Sequence, residues 1–214
     1  MRKNQKIIEC SPREEIVNVI THIPGVVLGA IFVAILLLKN YDQSSLAQIV
    51  SYLIYGLSFI TVFSASSLYH NTKNERRRKI LKKIDHASIF FFMGGCYTPF
   101  IVINMVSDYK YHFLALVWFL VAFGIVYKFL SQFKNQVLSL TFYFSFGLMC
   151  LLAKGQMLDH MPRLAFNLLI LGGLLYSVGV IFYIMKKLPY NHGIWHLFVL
   201  LGASCHFAAI YHTI

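Results

Sequence analysis

His192 and His196 open the last apolar stretch of the chain, in the run Asn191-His192-Gly193-Ile194-Trp195-His196. Residues four apart share one helix face, with an angular offset of about 40° at roughly 100° per residue. Two imidazoles on one face are the beginning of a metal site. His70 closes another apolar stretch, with Ser66 one helical turn before it. Three imidazoles leave a fourth position open for water, the arrangement of a catalytic zinc, and we take His70, His192 and His196 as that ligand set. Imidazole also suits iron, nickel and copper. Zinc is preferred because it makes water nucleophilic near neutral pH without redox chemistry. Asp85 is the candidate to hold or deprotonate the water, and Ser66 to donate to it or to a developing oxyanion. Glu15, Asn18 and His22 fall at i, i+3 and i+7 and form a polar stripe. Glu15 or His22 would orient a ligand from behind, as metal sites require. His206 follows His192 by fourteen residues. It shares the face but lies about 21 Å deeper, at about 1.5 Å per residue, too far to bind the same ion.

Blander readings stand beside these. A histidine at a helix end is often an interfacial or capping residue, and His112, His160 and His212 are read that way. Asp85 is alternatively a bare helix N-cap, His86 a bystander beside it, and His206 a partner to a neighbouring helix.

The elements that must position these residues are membrane spans. The apolar fraction is 58% and the charged fraction 13%, against about 25% charged in a soluble globular chain. Gly25 to Leu38 and Leu164 to Met185 carry no charge at all. A span needs about 20 mostly apolar residues, and seven candidates emerge: 18–38, 47–69, 85–106, 111–130, 136–153, 164–185 and 192–211. The chain is therefore predicted to be an all-α integral membrane protein, a seven-helix bundle forming one domain over 1–214. The boundary between the fourth and fifth spans is the least defined, because Lys128 and Lys134 lie close to both. No cleavable signal is recognised before the first span, which is expected to act as the insertion signal.

The net charge of +11 does not indicate nucleic acid, because it sits in short clusters between apolar runs. Fifteen of the nineteen Lys and Arg fall in the N-terminus and the 70–84, 128–135 and 186–191 connections; Lys39, Lys110, Lys154 and Arg163 make up the rest. The positive-inside bias then places the N-terminus in the cytoplasm and the C-terminus outside. The 73–83 cluster reads as a topology determinant rather than a site for anionic lipid. On this topology Glu15, Asn18, His22, His70, Asp85, His192 and His196 reach the same membrane face from four helix ends. Ionisable residues within a bilayer are costly and mark a site. Gly25 and Gly29, Gly94 and Gly95, Gly172 and Gly173, and Gly202 supply small surfaces for helix contact. Cys10, Cys96, Cys150 and Cys205 form no CxxC pair, and no structural disulfide is expected. HExxH, Walker, dinucleotide and GxSxG signatures are absent.

At the same residues the chain resembles the hemolysin III family, the bacterial branch of the progestin and adiponectin receptor superfamily. The first block is Glu14-Glu15-Ile16-Val17-Asn18 with Thr21-His22, and the second Ser66-Ser67-Leu68-Tyr69-His70. The third runs Asp85-His86-Ala87-Ser88-Ile89-Phe90 with Gly94 and Tyr97-Thr98-Pro99, and the last His192 to Val199 with His206-Phe207. The resemblance covers almost the whole chain. It implies a multi-pass protein of the bacterial plasma membrane, with zinc near the cytoplasmic side on His70, His192 and His196. It also implies a serine at Ser66 near the site and an aspartate at Asp85 near the water. Superfamily relatives suggest ceramidase-like hydrolysis of a lipid amide or ester, with a role in membrane lipid homeostasis. Membrane lipids are the partners expected, and no soluble protein partner is indicated. Two alternatives remain: a haemolytic or pore-forming protein, and a non-catalytic sensor with structural zinc.

Overall fold

The structure is a computed structural model describing residues 10–39, 41–130 and 136–214. It contains helices α1 (Pro12–Lys39), α2 (Leu46–Asn71), α3 (Glu75–Asn104), α4 (Tyr109–Leu130), α5 (Gln136–Gly147), α6 (Lys154–Met157), α7 (Arg163–Ile184) and α8 (Asn191–Thr213). Among the described residues, seven segments are long and apolar enough to cross a membrane, the fifth running from Val137 to His160 in pieces. The chain is thus an all-α, multi-pass membrane protein. Arg2, Lys3, Lys6 and Lys134, which entered the charge count, lie outside the described residues.

Two spans begin earlier than hydropathy suggests, and caps explain both. Ser11 and Glu14 form reciprocal bonds, Ser11 N to Glu14 Oε2 at 2.8 Å and Glu14 N to Ser11 Oγ at 3.3 Å. This is a capping box with Pro12 at the first helical position, where its missing N–H costs nothing. Likewise Asn74 accepts from Arg77 N at 3.0 Å and starts α3 ten residues before the expected boundary at Asp85. The basic stretch is therefore helix, not loop, and Asp85 is not its N-cap.

Helix α1 shows how the bundle is sorted. Asn18, His22, Gly25, Gly29, Phe32 and Leu36 are buried, while Ile16, Ile20, Ile23, Val27, Ile31, Ile35 and Leu38 are exposed. The polar residues face inward and the branched apolar residues outward, the sorting suited to lipid. Neighbours α1–α2, α2–α3, α3–α4 and α7–α8 pack together, and α1 also packs against α8. Helix α3 is central: 67% of its most apolar window is buried, and no other span exceeds 44%.

Small residues permit the close crossings. A Cβ at Gly25 would strike the Phe63 ring, and one at Gly95 would meet Ser58. Gly172 packs on His206 and Gly202 on Tyr176, joining α7 to α8. The expected fifth span at 136–153 instead continues to His160, with 3₁₀ turns over Leu148–Ala153 and Leu158–His160. Tyr97 of α3 compensates for the break. Its hydroxyl lies 2.8 Å from the Phe146 carbonyl and 2.9 Å from that of Gly147, and accepts from Cys150 N at 3.0 Å. Backbone groups freed inside a membrane must be re-satisfied by protein. The four cysteines are free thiols.

Candidate metal centre

The site forms where the ends of α1, α2 and α8 meet. His70 is the penultimate residue of α2, and His192 the second of α8. Their alignment depends on the turn before α8. Tyr190 adopts the left-handed conformation (φ 57°), and its N–H donates to Glu14 Oε1 at 3.1 Å. Asn191 Nδ2 donates at 3.2 Å to the carbonyls of Phe182 and Tyr183, two of those left open at the C-terminal end of α7. The capping residue of α1 thus also holds the first turn of α8.

His70, His192 and His196 each offer a ring nitrogen, and the three atoms lie within 4.8 Å of one another. Tetrahedral zinc with bonds of about 2.0–2.1 Å would need nitrogens roughly 3.4 Å apart. Small side-chain adjustments therefore suffice to close the triad on an ion. Ring centroids are 5.0 Å apart for His70 and His192, 5.2 Å for His70 and His196, and 4.5 Å for His192 and His196.

The surroundings set the lone pairs. Glu15 Oε2 lies 2.6 Å from His70 Nδ1. The carboxylate accepts the Nδ1 proton, which leaves Nε2 as the free base. His70 Nε2 is buried and has no hydrogen-bond partner. A buried polar atom without a partner is costly, and a metal ion would satisfy this one. His196 Nδ1 donates to the Asn18 carbonyl at 3.1 Å, with Thr21 Oγ1 at 3.2 Å, which leaves its Nε2 as the unprotonated nitrogen. The Asn18 amide approaches His70 Nδ1 at 3.3 Å. The donor set fits a borderline cation such as zinc, with carbonyl and carboxylate partners behind the imidazoles.

The other sequence candidates fall into three places. His22 stacks on His196, centroids 3.5 Å apart and 18° from parallel, and meets the edge of Phe63. Both its ring nitrogens are buried without partners. Ser66 is buried one turn below His70, and its hydroxyl neighbours the Asp85 carboxylate, which also lies in the field of His70. Neither belongs to the ligand triad. His206 lies far along α8 between Tyr176 and Phe100. Sequence reasoning did not give Thr21 or Arg78 a place here. Arg78 is one charge in a basic run by sequence, and its ion pair with Glu15 brings it to the site.

This triad, with its carboxylate and carbonyl partners, sits inside a longer match. Residues 10–207 match the family described as haemolysin-III related. The chain belongs to the haemolysin III family. It is 36% identical over 198 residues to the hemolysin-3 homolog of Bacillus subtilis (strain 168), covering 92% of this chain and 93% of that protein. Hemolysin-3 of Bacillus cereus is 33% identical over 198 residues, covering 92% and 90%. The human monocyte to macrophage differentiation factor is 31% identical over 166 residues, covering 74% and 68%. The haemolysin III match spans every residue of the site, from Glu14 to His196.

Proposed function

We propose that the chain is a zinc-dependent hydrolase of the bacterial plasma membrane, acting on an amide or ester bond of a membrane lipid at the cytoplasmic side. The observation that carries this reading is the triad of His70, His192 and His196, in which His70 Nε2 is buried without a hydrogen-bond partner. Zinc, when bound, supplies a nucleophilic water near neutral pH and a Lewis acid for a carbonyl oxygen. His70, His192 and His196 would hold it, with Glu15 and the Asn18 carbonyl fixing the tautomers of His70 and His196. Asp85 takes a proton from the attacking water as the new C–O bond forms. It then returns that proton to the departing amine or alkoxide as the old C–N or C–O bond breaks. The Ser66 hydroxyl donates to the carbonyl oxygen as that atom gains charge. Asn18 and His22 complete the polar wall, and His206 belongs to a separate polar position deeper in the bundle. The resemblance to the progestin and adiponectin receptors favours a lipid substrate.

A structural role for the metal has its own support. The ligands come from α2 and α8, which make few close backbone contacts with each other, so a shared ion would tie them directly. Metal analysis of detergent-purified protein, beside a screen of lipid amides and esters, separates the two. The hydrolase reading expects stoichiometric metal, turnover in wild type, and loss of turnover with retained metal in Asp85→Asn. Stoichiometric metal with no turnover on any lipid class, and unfolding on chelation, would leave the clamp. Absence of metal from properly folded wild type would sink both.

A further inference from the structure

Glu15 sits at the edge of the bundle with its side chain 15% exposed, and its two carboxylate oxygens have separate partners. One carboxylate oxygen faces His70 Nδ1; the other is paired with Nη2 of Arg78. The guanidinium is fixed on further sides. Its Nη1 donates to the Thr72 carbonyl at 3.3 Å, and its plane lies 4.8 Å from the centroid of the Tyr69 ring. Thr72 caps α2 two residues after His70. Arg78 therefore joins the first turns of α3 to the last turn of α2 and the first turns of α1. Arg76, Arg77 and Lys79, beside it in sequence, are exposed.

A carboxylate held through one oxygen can rotate and present either oxygen, or neither, to its partner. Held through both, it has one orientation. The rigid fork of Arg suits this task, and a Lys ammonium, a point charge on a flexible stem, does not replace it. We propose that Arg78 is a positioning residue of the metal centre. By fixing Glu15 it keeps the proton of His70 on Nδ1 and turns the Nε2 lone pair toward His192 and His196. The proposal rests on the metal reading above for its purpose, but its geometry is independent of any ion.

The test uses full-length protein in nanodiscs with ¹⁵N-labelled histidine. Two-bond N–H correlations report which nitrogen of His70 carries the proton in metal-free protein. Wild type and Arg77→Gln are expected to show Nδ1–H. Arg78→Gln is expected to move His70 toward Nε2–H, as Glu15→Gln does. Cobalt(II) titration, followed by its d–d spectrum, then gives affinity. Loss of an outer partner costs a metal site about 10–100-fold, so Arg78→Gln should weaken cobalt by about tenfold or more. The Glu15→Gln/Arg78→Gln double variant should bind no more weakly than Glu15→Gln alone.

Arg78→Lys keeps the charge and loses the fork. It should show the same changes in smaller measure, and it carries the test if the Gln variant does not fold. A wild-type tautomer and wild-type cobalt affinity in either folded variant overturn the proposal, even if thermal stability falls, because that is a brace without a positioning role. If wild type binds no cobalt but the His70 tautomer still follows Arg78, the metal reading fails and the positioning of His70 stands. If cobalt binds and the tautomer ignores Arg78, only the present proposal fails.

Discussion

Glu14 accepts a hydrogen bond from the backbone nitrogen of Tyr190 at 3.1 Å, and through it the cap of α1 sets the position of the first turn of α8. The same side chain closes the capping box with Ser11. Glu14→Ala should therefore cost about 1 kcal/mol of stability, the usual value for a lost cap. It should also weaken metal binding, because His192 and the Asn18 carbonyl then lose their shared reference. Thermal unfolding and metal titration of the purified variant check the two effects separately.

Tyr190 holds a left-handed backbone, which strains a residue with a Cβ and strains a β-branched one most. Tyr190→Gly is expected to be neutral or stabilising by up to about 1 kcal/mol, and Tyr190→Val destabilising. Equal unfolding midpoints for the Gly and Val variants would contradict this assignment.

Zinc added at a hundredfold excess over its Kd should stabilise wild type by about 2.7 kcal/mol through mass action. The His70/His192/His196 triple alanine variant should show no such gain and should purify without stoichiometric metal. Calorimetry with and without chelator, beside elemental analysis, measures both.

His22 stacks on His196 with both nitrogens unpartnered. His22→Phe keeps a ring in that slot and should bind metal as wild type does. His22→Ala opens a cavity and should lose about 2–4 kcal/mol, as large-to-small core changes do. If the Phe variant retains metal yet loses lipid turnover, the nitrogens of His22 act on substrate or water.

Gly95 lies where α3 crosses α2, and an added Cβ would meet Ser58 and approach the Ile54 carbonyl at 3.3 Å. Gly95→Ala should destabilise the bundle by about 1–3 kcal/mol, the range for overpacking. Gly173→Ala should not, since a Cβ there meets nothing within 4 Å. Paired denaturation curves decide the point.

Much of this arrangement was legible in the chain itself. His192 and His196 share a face because of their spacing, and seven apolar runs bring His70 near them. The helix starts were harder to read. Hydropathy marks where lipid begins, whereas Ser11 and Asn74 mark where the backbone begins to coil, and the two differ by several residues. The break after Gly147 was not visible, because what stabilises it is Tyr97 on a different helix. Arg78 was hidden for a similar reason: its composition matches that of Arg76 and Arg77, and only the fold gives it a carboxylate.

His192 is one residue into its helix, and His70 is one residue from the end of its own. Both thus lie within a single helical turn, about 5.4 Å, of the ends of their spans. If those ends mark the edge of the leaflet, a lipid could bring its linkage carbonyls to the site while its chains remain among its neighbours. On the proposed reading, substrate would arrive by diffusion in the plane of the leaflet. Rates should then follow its mole fraction in the bilayer, and dilution with inert phospholipid should slow turnover even when the bulk concentration is unchanged.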